Sequence, residues 1–210
     1  MLRSKVAEGY SAQPTLETER LLFRRLQRED AEALYAIASI PEVSRYLMWD
    51  RHPSVKYTKH YLKDLQRLYN DLEYYEWGVF TREGGDLIGT CGFTKFDYTA
   101  NRGEIGYSFR PDVWGRGYAT EAARATIAFG FRELGLASVY ACFALNNAAS
   151  IRVLTKCGMH YLGEDEPMKI KGEWLRIGSA AITREAYSKG TDAGGVVGLV
   201  RATAKVTMPE

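Results

Sequence analysis

Two glycines flank an arginine, Gly115-Arg116-Gly117, directly before a run of helical character from Tyr118 to Leu134. Glycine lets backbone approach a ligand closely, and the first N–H groups of a helix have no intrahelical partner, so they face whatever anion sits above them. The chemistry on offer is the holding of a phosphate. Upstream, Ile105, Tyr107 and Phe109 alternate with Glu104, Gly106, Ser108 and Arg110 as a strand would, and Pro111 ends the run. Residues 104–134 therefore predict a strand, a loop and a helix that together bind a phosphorylated cofactor. A dinucleotide-binding loop is the rival reading. It wants a third glycine where Thr120 stands, and it wants a parallel crossover where this strand belongs to a meander.

The elements that must position this loop fit one compact α/β core, the size that 210 residues support. The net charge of +2 lacks the clustered basic stripe of a nucleic-acid or membrane-surface binder, because Arg20, Arg24, Arg25 and Arg28 are interspersed with acids and apolar residues. No signal-peptide core or bilayer-length apolar run appears, so a cytoplasmic location is expected. Cys91, Cys142 and Cys157, like His52, His60 and His160, are too scattered to imply a disulfide framework or a metal site.

Residues 1–15 read as a loose leader and Leu21 to Phe23 as an opening strand. Acids in Gln27 to Asp30 start a helix that continues to Ile37, and a second helical region covers Ser44 to Leu72 with an interruption at Asp50 to Pro53. There Tyr61, Leu62, Leu65, Leu68 and Tyr69 recur at helical spacing and are expected to face the core. From Glu73 the period changes to that of strands, with Glu83-Gly84-Gly85-Asp86 as a hairpin turn. The helix after the glycines puts Ala119, Ala123, Ile127, Phe131 and Leu134 on one face, with Gly135 as its cap. Ala137 to Leu145 reads as a buried strand and Ala148 to Lys156 as a short helix. Strands at Met159 to Leu162 and Leu175 to Ile182 follow, separated by an acidic turn at Gly163 to Glu166 and by Gly172. Residues 190–210 read as a C-terminal appendage that is either flexible or adds to a partner's surface, which leaves a homodimer open.

A second motif raises the specificity of the first. Asn146-Asn147-Ala148-Ala149-Ser150 follows a strand and opens a helix that ends Lys156-Cys157-Gly158-Met159. Together with the glycine loop and the opening LETERLLFRRL, it resembles the GNAT superfamily of acyl-CoA-dependent N-acetyltransferases, in the branch of the ribosomal-protein N-terminal acetyltransferases. The resemblance covers a domain of residues 16–189. It implies an α/β (α+β) fold with a mixed, mostly antiparallel sheet of six to seven strands, flanked by about four helices, whose central strands splay apart to form the cofactor slot. Trp114-Gly115-Arg116-Gly117-Tyr118-Ala119 matches the family's pyrophosphate loop at Gly117 and Ala119, and Trp114 replaces its polar first residue, as is frequent in this branch. By the same resemblance, Tyr107, Ser108 and Phe109 offer strand backbone to the pantetheine arm of acetyl-CoA, Tyr118, Ala119 and Thr120 join the phosphate cradle, and Asn147 holds the arm from the other side; Arg116, Arg124, Arg152 and Lys156 flank the cradle as candidates to meet the phosphates, Arg116 first.

Acetyl transfer from a thioester to an amine needs a neutral amine and a proton for the leaving thiolate. At pH 7, deprotonation costs about 1 kcal/mol for an α-amino group and about 4.6 kcal/mol for a lysine side chain. The acceptor is a protein N-terminus, as the branch suggests, or a small amine. Glu104, which begins the strand leading into the loop and resembles a position serving as base in some family members, is either that base or a surface carboxylate paired with Arg102 or Arg110. Many members carry a tyrosine acid where this chain has Leu154; Ser150 is either its substitute or a cap of the helix's first turn. Tyr46, Met48, Trp49 and Tyr57 fall where the family lines its acceptor side, and read either as core or as substrate contacts. Asp71, Glu73, Glu76 and Glu164 to Glu166 either favour a cationic acceptor or form solvated charge runs. Cys157 before Gly158 reads as packed, which favours direct attack through a ternary complex. The alternative to an enzyme is a non-catalytic acyl-CoA-binding module.

Overall fold

The computed structural model describes residues 2–11, 15–69 and 74–191. Helix α1 (Leu2–Ser11) precedes strands β1 (Leu16–Glu17) and β2 (Leu21–Arg24), and then come α2 (Ala31–Ala38), α3 (Pro41–Ser44) and α4 (Val55–Leu68). Strands β3 (Tyr75–Thr81), β4 (Leu87–Asp97) and β5 (Arg102–Phe109) form the meander, joined to α5 (Tyr118–Arg132), β6 (Ser138–Ala144) and α6 (Ala148–Lys156). The hairpin of β7 (His160–Ile170) and β8 (Glu173–Thr183) and helix α7 (Arg184–Thr191) complete the described chain. One sheet of eight strands runs in the order β1-β2-β3-β4-β5-β6-β8-β7.

Every strand pair is antiparallel except β5 with β6. That parallel pair is made through α5, as a crossover requires. Alternation in β3 puts Tyr75, Trp77 and Val79 under α5, where the Trp77 and Phe129 rings meet edge-on at 5.2 Å. Small residues let the helix lie close. A Cβ at Gly130 would come within 2.7 Å of Phe93 Cζ, and Thr126 Oγ1 lies 3.2 Å from Cys91 Sγ.

Several elements depart from the sequence reading. The leader is helical over Leu2–Ser11, and Val6 is buried in the core. The sheet has eight strands rather than six to seven, because the two residues Leu16 and Glu17 pair with Phe23 and Leu22, too short a run to show a period. The described residues hold seven helices rather than about four, three of them α1, the single turn α3 and the terminal α7. Residues 45–54 between α3 and α4 are not helical, since Pro53 disfavours helix at its predecessor and Ser54 caps the start of α4 by accepting from Tyr57 N. Leu62, Leu65 and Tyr69 are buried as expected, while Leu68 is exposed.

The acidic run Gly163 to Glu166 is not a turn but the middle of β7, with register shifts on both sides of it. Pro167 is tolerated there because β7 is the sheet's edge. The true turn is Lys171-Gly172, both at positive φ (51° and 88°), the geometry of a tight hairpin. At that tip Lys171 Nζ donates to the Ser44 carbonyl, which ties the hairpin to α3. Gly190 belongs to α7, while residues 192–210 of the expected appendage, and Asp71 and Glu73, lie outside the described residues.

Candidate active site

Strands β5 and β6 pair only from Arg102 opposite Ser138 to Glu104 opposite Tyr140. Beyond that point Ile105–Phe109 and Ala141–Ala144 diverge, and a cleft of about 530 Å³ opens between them. Its walls are Gly106 to Phe109 of β5, Ala141 to Ala144 of β6, the start of α5 and the start of α6. Backbone groups on the facing edges of the two strands have no partner strand there, which suits an extended ligand arm laid between them.

The loop at the cleft's mouth is held by specific contacts. Trp114 Nε1 donates to the Phe109 carbonyl at 2.7 Å, so the tryptophan acts as a pin. Gly115 and Gly117 sit at φ 74° and 86°, in the left-handed region that favours glycine. Gly117 is the N-cap of α5 and has no side chain to occupy the helix's first N–H groups, which leaves those of Tyr118, Ala119 and Thr120 for an anion. Arg20 braces the loop from β2's approach. Its Nη1 donates to the Arg116 carbonyl at 3.1 Å, its Nε donates to Glu121 at 2.6 Å, and its guanidinium lies 4.4 Å from the centre of the Tyr118 ring. Thr18 Oγ1 donates to the same carboxylate at 2.6 Å.

On the opposite wall Asn147 is the N-cap of α6, and its Oδ1 accepts from Ser150 N at 3.2 Å. The capping duty therefore falls to Asn147. The Ser150 hydroxyl is engaged elsewhere, with Tyr107 Oη 2.9 Å from its Oγ and 3.3 Å from its carbonyl oxygen. Burial pushes the Tyr107 phenol above its usual range. Sequence reasoning offered Tyr107 for its backbone alone; this cross-cleft hydroxyl pair depends on the placing of β5 against α6, which no local pattern reports.

Of the residues the sequence offered, Tyr107, Ser108, Phe109, Trp114, Gly115, Gly117, Tyr118, Ala119, Thr120, Asn147 and Ser150 line the cleft. Arg116 does not, and borders a neighbouring groove with Arg20, Arg82 and Arg110. Arg152 and Lys156 supply cations to the cleft wall instead. Glu104 also lies outside the lining, at the last paired position of β5, where its carboxylate lies beside the side chains of Tyr140 and Cys142 and helps to raise the pKa of both. Tyr46 joins the cleft, whereas Met48 is exposed and Trp49 and Tyr57 are exposed beside the buried His52. His52 Nδ1 lies 2.9 Å from Thr58 Oγ1, and burial pushes its imidazole pKa down. Glu164 is an exposed partner of Arg176, at 2.6 Å.

Cys142 stands on the cleft wall and Cys157 behind it. Burial pushes the Cys157 thiol up to about 12. Cys142 is pushed up to about 11, first by burial and then by the Glu104 carboxylate. Both are thiols at neutral pH and poor nucleophiles in that form.

A mixed sheet split at one parallel pair, with a helix N-terminus at the mouth of the split, offers an elongated cleft with anion-facing N–H groups at one end. The family model described as acetyltransferase (GNAT) domain matches residues 20–160. The chain belongs to the GNAT family and is an N-acetyltransferase. The N-acetyltransferase YoaA of Bacillus subtilis is 35% identical over 150 residues, 71% of this chain and 85% of that protein. The GNAT-family acetyltransferase of Bacillus anthracis superposes with a TM-score of 0.72 at 28% identity, over 81% of this chain and 99% of the other. The ribosomal L7/L12 alpha-N-protein acetyltransferase RimL, solved in complex with coenzyme A, shares the fold with a TM-score of 0.72 at 16% identity, over 82% of this chain and 99% of its own. Acyl transfer to an amine is the reaction such proteins perform. No helix among the described residues is long and apolar enough to cross a membrane, and the described residues contain no metal-binding group of histidines, cysteines and acids.

Proposed function

We propose that this protein transfers an acetyl group from acetyl-CoA to a primary amine by direct attack in a ternary complex. The observation that carries the reading is the convergence on one cleft of a free helix N-terminus, two unpaired strand edges and the Ser150–Tyr107 hydroxyl pair. The residues fit acetyl-CoA. The N–H groups of Tyr118 to Thr120 hold its pyrophosphate, the edge of β5 from Tyr107 to Phe109 takes the pantetheine arm as an added strand, and Asn147 contacts that arm from α6. Bound there, acetyl-CoA supplies an activated acetyl carbon and a thiolate leaving group.

Ser150 donates the proton that the departing sulfur needs. Tyr107 Oη lies 2.9 Å from Ser150 Oγ and 3.3 Å from the Ser150 carbonyl; when the phenol gives its one proton to Oγ, the serine's own proton is free to point into the cleft. The protonated thiols of Cys142 and Cys157 favour direct attack over an acyl-enzyme. The acceptor is a protein N-terminus or a small amine; the α-amine asks less of the enzyme, since it is partly neutral at pH 7. The name of the RimL relative, which acts on ribosomal L7/L12, supports the protein acceptor.

The test is a screen of N-terminal peptides, polyamines, amino sugars and amino acids for thiol release from acetyl-CoA, after calorimetry has shown that the cofactor binds. Release with at least one amine is expected. Binding without release from any amine identifies a non-catalytic acyl-CoA module, and a thermal shift with NAD but not acetyl-CoA identifies a dinucleotide site.

A further inference from the structure

Glu76 of β3 carries a carboxylate that the cleft described above does not use, although a continuous chain of hydroxyls joins the two. In the sheet register Gly78 stands opposite Thr90, and Thr90 stands opposite Ser108. One row along, Glu76 stands opposite Gly92, and Gly92 opposite Gly106. Residues in register across an antiparallel sheet share a face, so Glu76, Thr90 and Ser108 all project from the side away from α5. Two glycines then leave no side chain of that row between the carboxylate and the splayed edge of β5.

The hydrogen bonds have a fixed direction. Tyr74 Oη donates to Glu76 Oε2 at 3.0 Å and Tyr61 Oη donates to the same oxygen at 3.4 Å. Thr90 is the diagonal neighbour of Glu76 on this face, and its hydroxyl is placed to donate to the carboxylate, which lowers the Glu76 pKa. Thr90 has a single proton, so its contact with Ser108 Oγ, at 3.0 Å, must be one in which Ser108 donates. Ser108 lines the cleft, and its oxygen is left to accept a proton from whatever stands there. Every donor in the row points from the cleft toward Glu76.

We infer that Glu76 is the final acceptor of the attacking amine's proton, reached from the cleft through the hydroxyls of Ser108 and Thr90. The inference rests on the acetyl-transfer reading above. As the amine nitrogen bonds to the acetyl carbon, its proton passes to Ser108 Oγ, the Ser108 proton to Thr90 Oγ1, and the Thr90 proton to Glu76. The C–S bond breaks with its electron pair on sulfur, which is protonated from solvent through Ser150. Glu76, now the acid, returns its proton to solvent along the same row. Burial raises the pKa of Glu76, which makes its carboxylate a stronger base, while its three hydroxyl donors hold that rise in check. The titratable groups facing it are Tyr61 of α4 and Tyr74 before β3; Tyr69 at the end of α4 donates to the Glu76 carbonyl, and Cys91 of β4 feels the charge from the α5 face of the sheet. Glu104, by contrast, lies beside Tyr140 and beside Cys142 of the cleft wall, with no hydroxyl row leading to it from Ser108.

Two readouts on the full chain test this, one independent of any acceptor. In an infrared pH titration of the free protein, a carboxylic-acid C=O band missing from Glu76→Gln has its midpoint above the ordinary carboxylate range. Thr90→Val removes a donor and moves that midpoint higher, Thr90→Ser restores it, and Ser108→Ala moves it much less. In thiol release from acetyl-CoA, with water as acceptor and with the best amine of the screen, Glu76→Gln, Thr90→Val and Ser108→Ala each lower kcat at pH 7 at least about tenfold, a threshold set below the roughly 100-fold at which general-base contributions begin. Calorimetric affinity for coenzyme A stays within about twofold, a check that each variant folds, and Thr90→Ser recovers turnover. If Glu76→Gln fails to fold, the Thr90 pair and Ser108→Ala decide. An ordinary midpoint, or variants that keep wild-type kcat, overturn the relay alone; loss of kcat in Glu104→Gln with Glu76→Gln unaffected returns the base to Glu104. A wild-type chain that binds coenzyme A but releases no thiol defeats the acetyl-transfer reading and this inference with it.

Discussion

Ser150→Ala separates chemistry from architecture at the cleft. The substitution removes the Oγ that Tyr107 Oη meets at 2.9 Å but leaves the Asn147 cap intact, because that cap uses the Ser150 backbone N–H. Tyr107 keeps its contact with the Ser150 carbonyl at 3.3 Å, so its phenol is not orphaned. The stability loss is therefore that of one ordinary hydrogen bond, about 1 kcal/mol or less. For a chain of this size that lowers Tm by about 2–4 °C. The functional loss is larger if the serine protonates the leaving sulfur, about 10- to 100-fold in kcat, at or below the lower end for general acids because a thiolate is a fair leaving group. Differential scanning calorimetry and thiol-release kinetics on the same preparation compare the two. Tyr107→Phe, which leaves the serine in place but unpolarised, lowers kcat by less, and the double variant is no worse than Ser150→Ala. A Ser150→Ala enzyme with wild-type kcat per folded molecule refutes the acid assignment.

Three further outcomes follow from named contacts. Arg20→Ala removes the brace on the Arg116 carbonyl and a cation beside the phosphate cradle, and raises the calorimetric Kd for coenzyme A about 3- to 10-fold, on the order of 1 kcal/mol; an unchanged Kd shows that the loop is organised without it. Gly92→Ala puts a Cβ 2.1 Å from the Tyr75 carbonyl oxygen and 2.6 Å from Glu76 Cα, backbone atoms that cannot step aside. It destabilises by roughly 2–3 kcal/mol or more and drops Tm by at least about 5 °C, and a wild-type melting curve contradicts the register. The pH dependence of stability carries the signature of Glu76, whose folded pKa is raised by burial above 4.5. A raised carboxyl favours the fold while protonated, so its contribution is full below the unfolded value and declines as pH climbs through the folded one. The Tm of Glu76→Gln minus that of wild type must therefore grow more positive as pH rises from about 4.5 to 8, and a flat difference excludes the shift.

The parts of the site legible in the sequence are those where function is written into backbone. Gly115 and Gly117 mark a loop that needs positive φ, and Asn147 marks a helix start; both do what their residue types suggest. The Glu83 to Asp86 turn was legible for the same reason, since its chemistry is local. What escaped is set by register. Ser108 and Glu76 lie 32 residues apart in the chain, and only the alignment of three strands brings them into neighbouring rows of one sheet face. In the sequence Glu76 belonged to an acidic group that suited solvent, yet it is enclosed by tyrosine hydroxyls. The β7–β8 hairpin was misplaced because Gly163 and the acids resemble a turn, while the edge position that makes them acceptable in a strand is a property of the whole sheet.

The central claim is that the cleft between β5 and β6 delivers an acetyl group to an amine. The most direct measurement supplies acetyl-CoA labelled with deuterium in the acetyl methyl group, together with the pooled peptides and small amines, and follows the label by mass spectrometry. The account predicts the labelled acetyl group on an amine nitrogen, at a rate that falls with Ser150→Ala. Label that stays on coenzyme A, or emerges only as free acetate while the protein binds the cofactor, contradicts it.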